Sequence, residues 1–332
     1  METRRLGRTG LDVSLLTFGC GAVGGLMPKG DPADQREAVS RTLDLGINFF
    51  DTAPLYGNGT SETNLGRILA ELKPDIVLGS KVRIAPEQKQ DMGAAVATSV
   101  EESLRRLQRD HIDILQLHNP VAVAGDEWTL PPDQVLQEAA PALERVKREG
   151  KARFIGFTAI GETPSLQAVV DAGVFDTGQI VCNMLNPSAG QAVAKGFPAQ
   201  DYEGLLGRAR SHGMGSIVIR SLAGGALSGS ETRHPLGMPL VAPIGSGPDY
   251  ATDAARARQF SPLLEEAGCR DLVELAIRYV ASHEDVSTLQ VGIATVEQFL
   301  GAADAVNKGP LPADVMERIA AVQVSLGGDG ES

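Results

Sequence analysis

Cysteine, histidine and aromatic residues are all scarce in this chain of 332 residues, and tryptophan occurs once. Cys20, Cys182 and Cys269 are odd in number and far apart, which argues against a disulfide framework or a CxxC metal site. The five histidines are His111, His118, His212, His234 and His283. They are too dispersed to suggest the close-range ligand sets that metal hydrolases need, so no metal is expected. No stretch approaches the ~18 apolar residues of a membrane span. METRRLGRTG at the start lacks the apolar run of a signal peptide. Cationic residues are outnumbered, 30 Lys and Arg against 42 Asp and Glu, for a net charge of -12. Such a chain, with no basic stripe, is not expected to bind nucleic acid. RRLQR at 105–109 reads as a solvated helix face. Together these absences leave a cytoplasmic protein with a small-molecule partner; the oligomeric state stays open.

What is present is alternation. Apolar runs that read as strands recur at 15–18, 47–51, 76–81, 112–118, 153–158, 179–184, 216–220 and 288–291. Segments with helical spacing lie between many of them, at 35–45, 62–72, 94–107, 135–148, 166–172 and 202–211. In the third of these, Val100, Leu104 and Leu107 share one face. Gly46, Gly150, Gly173 and Gly213 follow helices, where a left-handed cap suits glycine. Eight strands alternating with helices predict a parallel sheet. An open doubly wound sheet more often has about six strands and a dinucleotide motif on its first turn. Gly19-Cys20-Gly21-Ala22-Val23-Gly24 does spell GxGxxG after the first strand. However, Pro28, Gly30 and Pro32 follow, and no helix is expected before about Asp34. A single (β/α)8 (TIM) barrel over residues 1–332, with this glycine-rich segment as its first βα loop, is the better account. Two long irregular segments, 184–200 and 224–249, follow strands and so belong over the C-terminal mouth.

Four polar residues close predicted strands or lie just beyond them: Asp51, Tyr56, Lys81 and His118. Barrel sites draw on several strand ends, so these four are expected to meet. Each alone has a structural explanation, as an ion pair, a turn residue or a satisfied loop histidine. Together they suggest chemistry. A nearby ammonium lowers a phenol's pKa from its usual ~10. Lys81, held by Asp51, could therefore prepare Tyr56 to exchange a proton with a carbonyl or alcohol that His118 orients. Hydride would have to come from a cofactor. Trp128 lies in the loop after His118, either anchoring that loop or touching substrate.

The run Gly46-Ile47-Asn48-Phe49-Phe50-Asp51-Thr52-Ala53-Pro54-Leu55-Tyr56-Gly57, with Ser61-Glu62, resembles the signature of the aldo-keto reductases. The resemblance continues through 113–118, 150–156, 222–227 and 292–298, nearly the whole chain. It implies a catalytic tetrad at Asp51, Tyr56, Lys81 and His118. It also implies an opening β-hairpin within Thr3–Val13 around Gly7-Arg8-Thr9-Gly10, and a cofactor, NAD or NADP, across the mouth. Positions similar to the family's cofactor contacts are Gly21, Ala22, Asp51, Thr158, Gln179, Arg220, Ser221, Leu222, Gly225, Gly292, Thr295 and Gln298. Ala159, Ile219 and Ser221 depart from the usual Asn, aromatic and Pro. The stretch Gly292–Gln298 has no Lys or Arg for a 2′-phosphate, which favours NAD, while Arg220 keeps NADP open. Val23, Tyr56, His118, Trp128 and Asn183 are the expected substrate pocket. Asn183–Gly190 resembles a bacterial branch near the sugar dehydrogenases, which suggests an aldose; a general aldehyde reductase and a non-catalytic regulatory subunit of the same fold remain alternatives.

Overall fold

The computed structural model describes residues 1–241 and 245–326; positions 242–244 of the long segment 224–249, and 327–332, lie outside the described residues. Two short strands, β1 (Thr3–Arg5) and β2 (Asp12–Ser14), form an antiparallel hairpin. Eight parallel strands follow: β3 (Leu16–Gly19), β4 (Phe49–Asp51), β5 (Val77–Val82), β6 (Ile112–Leu117), β7 (Ala152–Ala159), β8 (Thr177–Val181), β9 (Gly215–Ile219) and β10 (Thr288–Gly292). They pair in chain order, and β10 closes on both β9 and β3, so the sheet is a complete barrel. The predicted (β/α)8 architecture and its hairpin are both present.

Alternation along each strand separates two apolar layers. Outward residues such as Leu78, Leu115, Ile155 and Ile180 pack with the surrounding helices in the main core. Inward residues Phe49, Val77, Ile114 and Ile217 fill the lower barrel together with Leu6 and Val13 of the hairpin. The hairpin thus plugs the N-terminal end, and polar chemistry is confined to the other end.

Gly46, Gly150, Gly173 and Gly213 take φ of 71°, 78°, 65° and 68°, the left-handed caps expected of them. The strand expected at 179–184 lies at Thr177–Val181 instead. Cys182 to Leu185 are fully enclosed although they have left the sheet, so their apolar run extends past the strand. Four helices not singled out from periodicity, Tyr250–Arg258, Leu272–Ala281, Val296–Asn307 and Ala313–Ser325, complete the chain. Helical structure also begins earlier than Asp34, as a turn at Leu26–Lys29 and a helix at Pro32–Asp44. Proline is tolerated there because the first turn of a helix has unpaired N–H groups anyway. Gly24 is required for a different reason than phosphate binding: a Cβ would lie 2.3 Å from the backbone of Ile293. The GxGxxG match reflects close packing of the loops after β3 and β10.

Candidate active site

Asp51 ends β4, Lys81 is the penultimate residue of β5, and His118 directly follows β6. Parallel register sets Asp51 beside Gly79, and the missing side chain at Gly79 leaves room for the carboxylate. The Lys81 ammonium donates to Asp51 Oδ2 at 2.5 Å and to the Thr52 carbonyl at 2.7 Å. Both side chains are essentially inaccessible. A buried charge pair survives only when its remaining hydrogen-bonding capacity is met. Here Gln179 Nε2 donates to Asp51 Oδ1 at 3.0 Å, and Gln290 Nε2 donates to Oδ2 at 2.9 Å. Thr158 in turn donates to Gln179 Oε1 at 3.0 Å. Asp51 is therefore fixed from β5, β8 and β10 at once.

Tyr56 lies in the loop after β4, half-buried, with the Lys81 nitrogen 4.9 Å from its ring centre. The His118 ring stands perpendicular to it at 6.2 Å between centres. The four expected residues are thus gathered at one end of the barrel. Their electrostatics depart from expectation in one respect. Burial pushes the Tyr56 phenol upward, Lys81 pulls it down and Asp51 raises it, and the net direction is up. The expected lowering is therefore overturned: removal from water outweighs the ammonium. Burial also disfavours the charged form of Lys81, but Asp51 and Tyr56 prevail and its pKa is raised. Burial, Lys81, Arg83 and Arg220 depress His118 to about 3. At neutral pH the site thus offers a phenol O–H, a fixed ammonium and a neutral imidazole whose Nδ1 is buried without a partner among the described residues.

The remaining sequence-derived positions ring the same mouth. Gly21 and Ala22 form the loop after β3, and a Cβ on Gly21 would meet the Tyr56 ring at 3.8 Å. Val23 is 37% exposed. Past β9, Arg220, Ala223, Gly224 and Gly225 all have positive φ, at 58°, 48°, 67° and 108°. Consecutive left-handed residues of this kind bend the backbone into the concavity that suits phosphate groups. Leu222 opens this turn, and Ser221 Oγ donates to the Gln290 carbonyl at 2.9 Å. Gly292 ends β10, Thr295 caps the helix Val296–Asn307 through the Gln298 N–H, and Gln298 Oε1 accepts from Ala294 N–H. Asn183 is enclosed: Oδ1 accepts from the N–H groups of Leu185 and Asn186, and Nδ2 donates to the Arg220 carbonyl. Its amide staples two loops and is not open to a ligand. Trp128 is half-buried with the Arg83 guanidinium stacked 4.5 Å from a ring centre.

Several residues that matter here escaped the sequence reading. Gln290 was visible only as a polar residue inside an apolar strand. Asn119 pairs with both backbone groups of Ile84 at 2.8 Å and donates to the Trp128 carbonyl at 2.8 Å, tying the loops after β5 and β6 together. Arg106 is not a solvated helix residue: it donates to the fully buried Glu62 at 2.7 Å. Glu62 also accepts from Ser80, and Ser61 bonds Thr52 and the Cys20 carbonyl. These contacts anchor the helix Thr60–Leu72, which follows Tyr56, to the strands bearing Asp51 and Lys81. Among the described residues, no three His, Cys, Asp or Glu side chains are placed to hold a metal ion.

The profile of the Aldo/keto reductase family matches residues 15–324. The chain belongs to this family. It is 31% identical to the L-galactose dehydrogenase of Arabidopsis thaliana over 305 residues, 90% of this chain and 86% of the relative. It is 26% identical over 327 residues to another Arabidopsis thaliana protein, "Probable voltage-gated potassium channel subunit beta", covering 94% of this chain and 93% of that one. Among solved structures, the holo form of the aldo-keto reductase AKR11C1 from Bacillus halodurans superposes with a TM-score of 0.71 at 28% identity, covering 97% and 96% of the two chains. The glycerol dehydrogenase AKR11B4 of Gluconobacter oxydans shares the fold, with a TM-score of 0.73 at 24% identity over 97% and 95%. As an aldo/keto reductase the chain is an oxidoreductase, and no helix of its described residues is long and apolar enough to cross a membrane.

Proposed function

We propose that the protein interconverts a carbonyl compound (aldehyde, ketone or aldose) and its alcohol with NAD or NADP, Tyr56 serving as general acid and, in reverse, general base. The supporting observation is the convergence of Tyr56, Lys81, Asp51 and His118 at one barrel end. The nicotinamide, when bound, supplies or accepts hydride. The protein's residues handle the proton. Tyr56 keeps its proton at neutral pH and can pass it to a carbonyl oxygen as negative charge develops there. Lys81 stabilises the phenolate that results, and Asp51 fixes the ammonium. The uncharged imidazole of His118 can hydrogen-bond the same oxygen without competing for the proton.

The left-handed turn Arg220–Gly225 fits a pyrophosphate, and Thr158, Gln179 and Asp51 form a polar layer against which a nicotinamide amide would rest. Gly21, Ala22, Ser221, Leu222, Gly292, Thr295 and Gln298 would complete this cradle. Arg270 reaches toward Gly301 on the helix after Thr295, its partner Glu274 being shared with Lys308, but the stretch Gly292–Gln298 itself carries no Lys or Arg. This supports NAD over NADP, and the ratio of NADH to NADPH dissociation constants tests it. The similarity to a plant L-galactose dehydrogenase supports an aldose substrate. Replacing Tyr56 by Phe is expected to lower turnover by about 10²–10⁴-fold while leaving cofactor affinity in place. Unchanged turnover, followed by nicotinamide absorbance, would remove the tyrosine from the mechanism. A non-catalytic, cofactor-binding subunit is the second reading, motivated by the likeness to a channel subunit beta. Tight NAD(P) binding with no turnover across an aldehyde and aldose panel would favour it.

A further inference from the structure

Two arginines at the mouth have no role in the proton chemistry. Arg83 follows β5 two positions after Lys81, so alternation puts both on the inward face, Arg83 nearer the opening. Its guanidinium lies over the Trp128 ring at 4.5 Å, and its Nε is buried with no hydrogen-bond partner among the described residues. Asn119 fixes this arrangement. It bonds Ile84, the neighbour of Arg83, and Trp128, and is itself the neighbour of His118. The stacked guanidinium is therefore stitched beside the imidazole. Arg220, past β9, is half-buried; burial lowers its pKa, and no carboxylate is among the groups that act against that. Both guanidinium groups lie close enough to His118 to disfavour its protonation. Lys81 is neutralised by Asp51, whereas Arg83 forms no salt bridge among the described residues; the Asp126 carboxylate feels its charge but accepts from Trp128 N–H and the Thr129 hydroxyl instead. In a chain with twelve more acidic than basic residues, a guanidinium at the opening with a buried, unpartnered Nε and no bonded carboxylate calls for an anion.

We propose that the substrate carries an anionic group, a carboxylate or a phosphate, which the edge of Arg83 grips while its guanidinium lies over Trp128, Arg220 being left to the cofactor's pyrophosphate. This rests on the redox reading above and specifies its substrate class. A guanidinium stacked on an indole is pre-oriented, and its free N–H edge matches two oxygens of a carboxylate or phosphate. Within the carbonyl class proposed above, this selects aldehydes and aldoses that bear an acid or phosphate group over their neutral counterparts.

The test compares paired substrates in the cofactor-saturated enzyme: succinic semialdehyde against butanal, and glyceraldehyde 3-phosphate against glyceraldehyde. The anionic member of one pair is expected to have the higher kcat/KM by about tenfold or more, and the pair that shows it distinguishes carboxylate from phosphate. Arg83→Gln is expected to reduce that preference by about 10–100-fold, chiefly through KM, and Arg83→Lys to recover part of it. Trp128 is the only tryptophan, so its emission reports on this place directly. Titration with succinate or glycerol 3-phosphate in the presence of NAD is expected to change that emission, with a midpoint raised by a similar factor in Arg83→Gln. Equal turnover within both pairs, or a preference intact in Arg83→Gln, overturns the proposal. If no aldehyde is turned over, the redox reading fails, and the emission titration still decides whether the anion site exists.

Discussion

A phenol beside an ammonium is expected to ionise more readily, yet at Tyr56 burial wins and the proton is held more firmly. The neighbouring His118 is shifted downward, to about 3, by burial and three surrounding cations. That shift carries a stability consequence. An unfolded histidine binds a proton near pH 6.5, while folded His118 stays neutral until about pH 3. Between those values the unfolded state holds more protons, so stability is complete above about pH 6.5 and falls as the pH is lowered toward 3. At pH 5 the loss assigned to this residue is about 1–2 kcal/mol. His118→Asn is expected to show a correspondingly smaller drop in urea stability between pH 7 and pH 5 than the unaltered protein. Equal drops would mean that His118 is freely protonated in the folded state. Residue identities at Asp51, Tyr56, Lys81 and His118 were legible because polar groups at the ends of apolar strands stand out. The sign of the Tyr56 shift was not, because desolvation depends on everything packed around the ring.

Elements place these groups, and their junctions are held by buried polar contacts that local spacing does not reveal. Ser61-Glu62 stood out only as part of a motif. In the folded chain Glu62 joins the helix Thr60–Leu72 to Ser80 on β5 and to Arg106 on the helix Met92–Leu107. Arg106→Met would leave the Glu62 carboxylate buried without its cation. The expected cost is about 3–5 kcal/mol of unfolding free energy. A loss under about 1 kcal/mol in denaturant titration would show that Glu62 is satisfied without Arg106. The helix starts misjudged near Leu26 and Pro32 carry a related lesson. Proline breaks helix interiors but not first turns, so its presence limits where a helix can continue rather than where it begins. The displaced β8 has another origin. Cys182–Leu185 are buried in loop form, and apolar periodicity reports burial, whether or not a strand is there.

At the scale of the molecule, the barrel separates stability from chemistry along its axis. Leu6 of the hairpin is fully buried against Phe49, Ile114 and Ile217 at the closed end, while Asp51, Tyr56, Lys81 and His118 lie at the open one. Leu6→Ala is expected to lower unfolding free energy by about 2–5 kcal/mol and to leave KM and kcat of the remaining folded enzyme unaltered. A kinetic defect without a stability defect would contradict this division. The mouth concentrates Lys81, Arg83 and Arg220 in a chain of net charge -12, so local and overall charge oppose one another. A count of residues cannot show that reversal.

By itself the sequence determined the strand count, the capping glycines and the four polar residues at or just past the strand ends. These depend on period, local backbone geometry and residue type, all of which are encoded within a few positions. Only the tertiary structure decided that Gln290 fixes Asp51 and that Asn119 sets Arg83 on Trp128. It also decided that Gly24 is demanded by Ile293 and that Tyr56 keeps its proton. Those outcomes depend on groups from distant strands meeting around a closed ring, and on the water they displace when they do.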